Sequence, residues 1–175
     1  MLYYAFLCWS KPNIGINAQA FSYHKNNEYT AIFIALIVLF TGESFAVHFF
    51  LATIDNTLAW VATLASIYTI LWLCGDFQAI RLNPITINDE TLNLYAGKRW
   101  KAIIARKSID QIIDINKAEH LINKKDYLNI TVAGEPSLVV SLKEPVKVKG
   151  LFGITKNCKY IGIFVDDLMA FKQTI

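Results

Sequence analysis

Hydrophobic positions run almost unbroken through the first half of this chain and alternate with polar ones through the second, and the change falls near Arg81. Before it lie two apolar runs, YTAIFIALIVLFTGESFAVHFFLA (29–52) and TLAWVATLASIYTILWLC (57–74), the second extended by Gly75. A short turn around Ile54, Asp55 and Asn56 parts them. A lipid-spanning helix needs about 20 mainly apolar residues to cross a hydrocarbon core of roughly 30 Å. Runs of 24 and 18 residues meet that requirement, so residues 29–80 read as a two-helix transmembrane hairpin. Tyr29 and Trp72 near one end of it, and Trp60 near the other, suit the headgroup layers where amphipathic rings collect.

After Leu82-Asn83-Pro84 the period falls to two. Short strands are predicted at residues 85–87, 91–95, 99–105, 111–115, 126–132, 137–142, 146–150 and 159–165. Val146-Lys147-Val148-Lys149 states the rule plainly, with valines toward a core and lysines toward water. Asp166-Asp167 reads as an N-cap pair before a terminal helix, LMAFKQTI, with Leu168, Phe171 and Ile175 on one face. Residues 81–175 are therefore expected to form a small β-barrel or sandwich closed by that helix. Residues 1–28 are read as an apolar stub, MLYYAFLCW, followed by a polar connector.

Charge sets the expected orientation. A hydrophobic content of 54% and a mean hydropathy of +0.36 fit a single soluble globule poorly. Residues 1–80 carry two lysines against four acids, a net of −2, while residues 81–175 carry fifteen cations against ten acids, a net of +5. Lys11 and Lys25 precede the first span; Arg81, Lys98, Arg99 and Lys101 follow the second; the turn between the spans has neither Lys nor Arg. The excess of cations beside both flanks predicts that both ends face the cytoplasm. The nine-residue stub is too short to span and lacks a basic leader and cleavage site. It reads either as an interfacial segment or as the tail of a longer span. Cys8, Cys74 and Cys158 lie far apart, and His24, His48 and His120 have no ligand spacing, so no disulfide framework, metal or cofactor is expected.

Three segments carry a family resemblance: GDFQAIRLNPITINDETLNLYAGKRWKAIIARKSIDQI after the last span, LKEPVKVKGLFG, and IGIFVDDLMAFKQTI. Together with the hairpin and its GESFAVH, the chain from Phe21 to Ile175 resembles bacterial integral membrane proteins with a cytoplasmic pleckstrin-homology-like (PH-like) domain. The resemblance implies a seven-stranded bent sandwich with a C-terminal helix, in the bacterial cytoplasmic membrane. It implies ligands or peptides held at an open barrel end or along a sheet edge, and it implies no catalysis.

Candidate chemistry falls in two places. Ionisable groups inside a span are costly and mark function or structure, which singles out Glu43 and His48. Five residues apart, they lie roughly 140° from each other around a helix. In a hairpin turning at Asp55, Glu43 is level with Ser66 and Tyr68, and His48 with Thr63. Interhelical hydrogen bonds are the expected use, Glu43 to Ser66 or Tyr68 and His48 to Thr63. The second place is the basic hairpin Lys98-Arg99-Trp100-Lys101, with Arg106 and Lys107 beyond it, close to the membrane exit. Such a cluster suits an anionic leaflet. Leu151-Phe152, an apolar pair between two glycines, is a further candidate for a partner or lipid. Acids interspersed among the later lysines argue against nucleic acid, and the β region's lone histidine leaves no Ser/His/Asp or Cys/His set. The reading is a membrane-tethered PH-like adaptor that engages the lipid bilayer, a protein partner or a second copy of itself. The alternative is a small transporter or intramembrane enzyme built on Glu43 and His48.

Overall fold

A computed structural model describes residues 18–25 and 28–175. The apolar stub and most of the connector lie outside the described residues. Strand β1 (Gln19–Phe21) comes first, followed by helices α1 (Tyr29–Ala52) and α2 (Asn56–Leu82). Strands β2 (Ile85–Ile87), β3 (Thr91–Ala96), β4 (Trp100–Ala105) and β5 (Ile109–Asp114) lead to helix α3 (Ile115–Ile122). Strands β6 (Tyr127–Asn129), β7 (Leu138–Gly150) and β8 (Thr155–Ile163) and helix α4 (Leu168–Thr174) complete the chain. Two compact units result, one of residues 30–79 and one that joins 80–175 to the described residues ahead of the hairpin.

In the helical unit, α1 has 24 residues and α2 has 27, each long and apolar enough to cross a membrane. Both helices are apolar around most of their circumference and turn large side chains outward, Phe45, Phe49, Phe50, Val61 and Leu64 among them. A helix hydrophobic all round is either buried or lipid-embedded, and these are not buried. Phe33 stacks on Phe77 with ring centroids 4.3 Å apart, joining the helices at one end. At the other, Asp55 caps α2, its Oδ1 accepting the Thr57 and Leu58 amides at 2.7 and 3.0 Å. Those N–H groups, Leu58's first, hold the Asp55 carboxyl below its ordinary value.

The β unit is one mixed sheet of eight strands, in the order β1-β2-β3-β4-β7-β8-β6, with β5 also on β7. Its first strand precedes the hairpin. Gln19, Ala20 and Phe21 pair antiparallel with Ile87, Thr86 and Ile85. Such a strand is invisible to periodicity, being three residues in a polar stretch. The predicted strands 137–142 and 146–150 are one strand, β7, with an irregularity between Ser141 and Val146. Pro145 has no N–H to donate there, and the chain bends. Ahead of the bend, β7 lies between β5 and β8; beyond it, between β4 and β8. The parallel β6–β8 pairing makes the sheet mixed.

Alternation sets the core. Leu92, Leu94, Ala102, Ile104, Val148 and Ile161 point inward and are at most 1% exposed. From Leu138 to Leu142 every residue is buried, because α3, which was not predicted, covers the other face of the strand. Ala118 and Leu121 of α3 pack on Val139 and Tyr127. Asp167 accepts the Ala170 amide at 3.0 Å to start α4, as its sequence predicts, and Phe171 fills the core with no exposure.

The segment ahead of the hairpin is tied to this unit at several points. Phe21 meets Phe171 edge to face at 5.2 Å. The Tyr23 hydroxyl, on a side chain 2% exposed, accepts the Gly97 amide at 2.9 Å. Asp166 accepts the Lys25 amide through its carboxylate (3.1 Å) and donates its own amide to the Ser22 carbonyl (3.0 Å). Burial lowers the His24 imidazole below its ordinary value, against the raising pull of the Asp166 carboxylate.

This tie can be probed in two ways. Phe21→Ala removes a buried ring from the β1–α4 contact, a change that typically costs about 3 kcal/mol or more. Amide hydrogen exchange on the full chain in micelles should show matching loss of protection at Leu92 and Leu94. His24 binds fewer protons folded than unfolded, so its contribution is complete above an ordinary histidine value of about 6.5 and is lost as pH falls toward the folded value. Acidification through that range should weaken protection of the 19–25 segment. His24→Gln should flatten the profile.

Candidate functional site

The intramembrane residues separate into two groups. His48 Nδ1 lies 2.7 Å from Thr63 Oγ1, at the height the hairpin register predicts. Thr63 donates its single hydroxyl proton to the Ala59 carbonyl at 2.9 Å, so the imidazole Nδ1–H is the donor to Thr63. The imidazole also meets the Trp60 ring edge-on at 5.3 Å. Glu43 is different. Its side chain is exposed and makes no hydrogen bond or ion pair among the described residues. Ser66 bonds the Ala62 carbonyl of its own helix (3.1 Å) and Tyr68 is 60% exposed. The expected bond from Glu43 to Ser66 or Tyr68 is therefore not formed. Register set the height of Glu43 but not its direction: His48 faces α2, and a residue about 140° away around α1 cannot. The two groups do not converge, and no cluster of three metal-ligating side chains occurs among the described residues.

The basic hairpin and the apolar pair, 50 residues apart in sequence, come together. Gly97 and Lys98 are the central residues of the β3–β4 turn, closed by the Arg99 amide on the Ala96 carbonyl at 2.8 Å. Gly97 has φ 55°, and a Cβ there would stand 2.7 Å from Ile80 Cγ1; backbone and contact both require glycine. Trp100 then pairs with Gly150 and Lys101 with Lys149, across β4 and β7. The half-buried Trp100 ring lies over Gly150, where a Cβ would come within 2.8 Å of it. The Leu151 amide donates to the Arg99 carbonyl at 3.1 Å, joining the β7–β8 turn to the β3–β4 turn. The result is one tip made of two adjoining turns.

This tip concentrates features that a fold alone does not favour. Phe152 is 97% exposed and sits in the left-handed region at φ 54°, ψ 26°. That conformation costs a non-glycine residue roughly 1–2 kcal/mol, and the ring gains no packing in return. Leu151 and Ile154, at 43% and 59% exposed, flank it. Lys101 and Lys149 stand directly opposite each other, a like-charge pair that disfavours the pairing. Lys101 lies over the Tyr95 ring, 5.5 Å from its centroid. Lys147 is exposed one inward-facing residue along from Lys149. None of Lys101, Lys147 and Lys149 forms an ion pair among the described residues. Arg99 reaches the Val132 carbonyl at 3.3 Å.

The other predicted residues lie elsewhere. Arg106, at the far end of β4, donates to the backbone carbonyls of Thr174 and Ile175 and so holds the C-terminal end of α4. Lys107 is exposed there, and its carbonyl accepts Lys143 Nζ at 2.9 Å. Both are removed from the tip by the length of β4. A cleft of about 550 Å³ beside α3, lined by Ile115, Glu119, Ile122, Tyr127 and Pro136, was not read from the sequence. Its Tyr127 hydroxyl is buried over Gly162 without a hydrogen-bond partner, and burial pushes the phenol up.

Phe152→Gly relieves the left-handed strain without opening a cavity. It should leave the thermal stability of the β unit unchanged or raise it by about 1 kcal/mol, whereas Phe171→Ala should lower it by about 3 kcal/mol or more. Thermal unfolding of the full chain in micelles, followed by near-UV circular dichroism, separates the two. No known protein family, curated protein or solved structure matches this chain.

Proposed function

We propose that this chain is a membrane-tethered binding and adaptor module. On this reading α1 and α2 cross the bacterial cytoplasmic membrane as a hairpin and carry a PH-like β unit on the cytoplasmic face. That unit engages protein partners or anionic headgroups. The observation that carries the proposal is the pairing of β1 with β2 across the hairpin. Strands that precede and follow two apolar helices belong to one sheet, so both flanks occupy one side of any bilayer the helices cross. The net +5 of residues 81–175 argues that this side is the cytoplasm. A bent, mainly antiparallel sheet closed by a C-terminal helix, with Phe171 in the core, supports the PH-like reading.

A binding role agrees with the chemistry present. Glu43 and His48 face apart, and the tip offers contact surface rather than a nucleophile with a base. Tethering raises the effective concentration of a weak site near its target, so modest affinity suffices.

Photocrosslinking tests the assignment. A photoreactive residue placed at Phe152 of the full chain in native membranes should give a discrete adduct, to protein or to lipid. The same residue at Asp110, on the strand after β4 and away from the tip, should not. Equal labelling at both positions would sink the adaptor reading.

A further inference from the structure

We infer, resting on the adaptor reading, that the tip is a membrane wedge for an anionic leaflet. Phe152, with Leu151 and Ile154, enters the headgroup and acyl boundary, while Lys101, Lys147 and Lys149 meet headgroup phosphates. The tip has no stereospecific cage for one headgroup, so it reads charge density rather than lipid identity.

Four observations choose a bilayer over a protein. The first is size: the apolar part is a few side chains on a tight turn. Stable protein interfaces usually bury about 1,200 Å² or more in total, well beyond what these side chains supply. A bilayer asks for less from a site that is already tethered, because a shallow aromatic contact plus a few cations suffices. Second, charge is complementary. Lys101 and Lys149 are forced side by side by register, and a surface dense in phosphate relieves that repulsion. No acid lies in the β3–β4 turn or anywhere from Val146 to Thr155.

The third observation is position along the chain. Gly97, in the turn that adjoins Leu151 through Arg99, bonds Tyr23 and packs on Ile80. Tyr23 lies just ahead of α1, and Ile80 lies in the last turn of α2. The tip is thus built beside the two points where the chain enters and leaves the hairpin. The fourth is the backbone. The left-handed conformation of Phe152 presents the ring to solvent rather than to the core, and strain held at an exposed aromatic is the kind that function maintains.

The test uses the full chain in nanodiscs with Cys8 and Cys74 replaced by serine; the remaining thiol, Cys158, is fully buried and burial raises it. A nitroxide on Ile154→Cys reports depth through its relative accessibility to oxygen and to a water-soluble nickel chelate. In nanodiscs of phosphatidylcholine with about one-third phosphatidylglycerol, oxygen should dominate. The preference should reverse in pure phosphatidylcholine or at salt of about 1 M, where the Debye length falls to roughly 3 Å. Phosphatidylserine should substitute for phosphatidylglycerol. Adding Phe152→Gly, or Lys101→Glu with Lys149→Glu, should return the label to water. Insertion that is equal in neutral lipid and indifferent to salt overturns the anionic assignment. A label in water under every condition overturns the wedge; discrete protein adducts at Phe152 would then leave the adaptor reading standing, and their absence would remove both.

Discussion

The pairing of β1 with β2 is the constraint on which the architecture rests. It makes the helical hairpin an insertion between two neighbouring antiparallel strands, a connection of 63 residues where two to five would serve a simple hairpin. Closing a flexible loop of that length costs about 4 kcal/mol beyond a constant, which three strand residues do not readily offset alone. The hairpin is not flexible. Asp55 caps its turn, and Phe33 on Phe77 brings its other end together, so most of the connection is closed before β1 finds β2. Phe21, Tyr23 and Lys25 then add side-chain and backbone ties that a strand this short needs.

Strand β7 has the corresponding role inside the sheet. Its bend lets one strand serve β5 before the break and β4 after it, with β8 along the other edge. Because β4 joins the far half of β7, the β3–β4 and β7–β8 turns finish at the same end of the unit. Trp100 over Gly150 fixes that meeting. The tip is a product of topology, and Arg106 at the opposite end of β4 is correspondingly absent from it and holds α4 instead.

What could be read in advance follows from which forces act locally. The hairpin was legible because a lipid-spanning helix needs an unbroken run, and α1 has the bounds of the run that predicts it. Strands β2, β3 and β4 announced themselves by alternation, and α4 by the Asp167 cap. Strand β1 was not legible, since Gln-Ala-Phe carries no period and its stability comes from Ile85–Ile87 and Phe171, over 60 residues away. Helix α3 had a signal in Ile115, Ala118 and Leu121, but the preceding Ile112 and Ile113 drew the segment toward a strand. The candidate residues at the tip were each visible by type. Their union was not, because it depends on the pairing of Trp100 with Gly150.

Glu43 and Phe152 show two ways in which a residue can disagree with its surroundings. Sequences that specify one structure agree with it locally nearly everywhere, and departures cluster where function demands them. Glu43 departs alone, an exposed carboxyl on an apolar helix with apolar Leu39, Ala46 and Phe50 around it, and nothing beside it completes a site. Phe152 departs in company. Its backbone is left-handed, its ring is in solvent, Leu151 and Ile154 are exposed beside it, and Lys101 faces Lys149 a few residues away. One isolated cost is easily carried by a fold of this size. Several independent costs gathered on two adjoining turns, beside the residues that lead into and out of the hairpin, require a common compensation, and a surface that accepts aromatic rings and cations together supplies it.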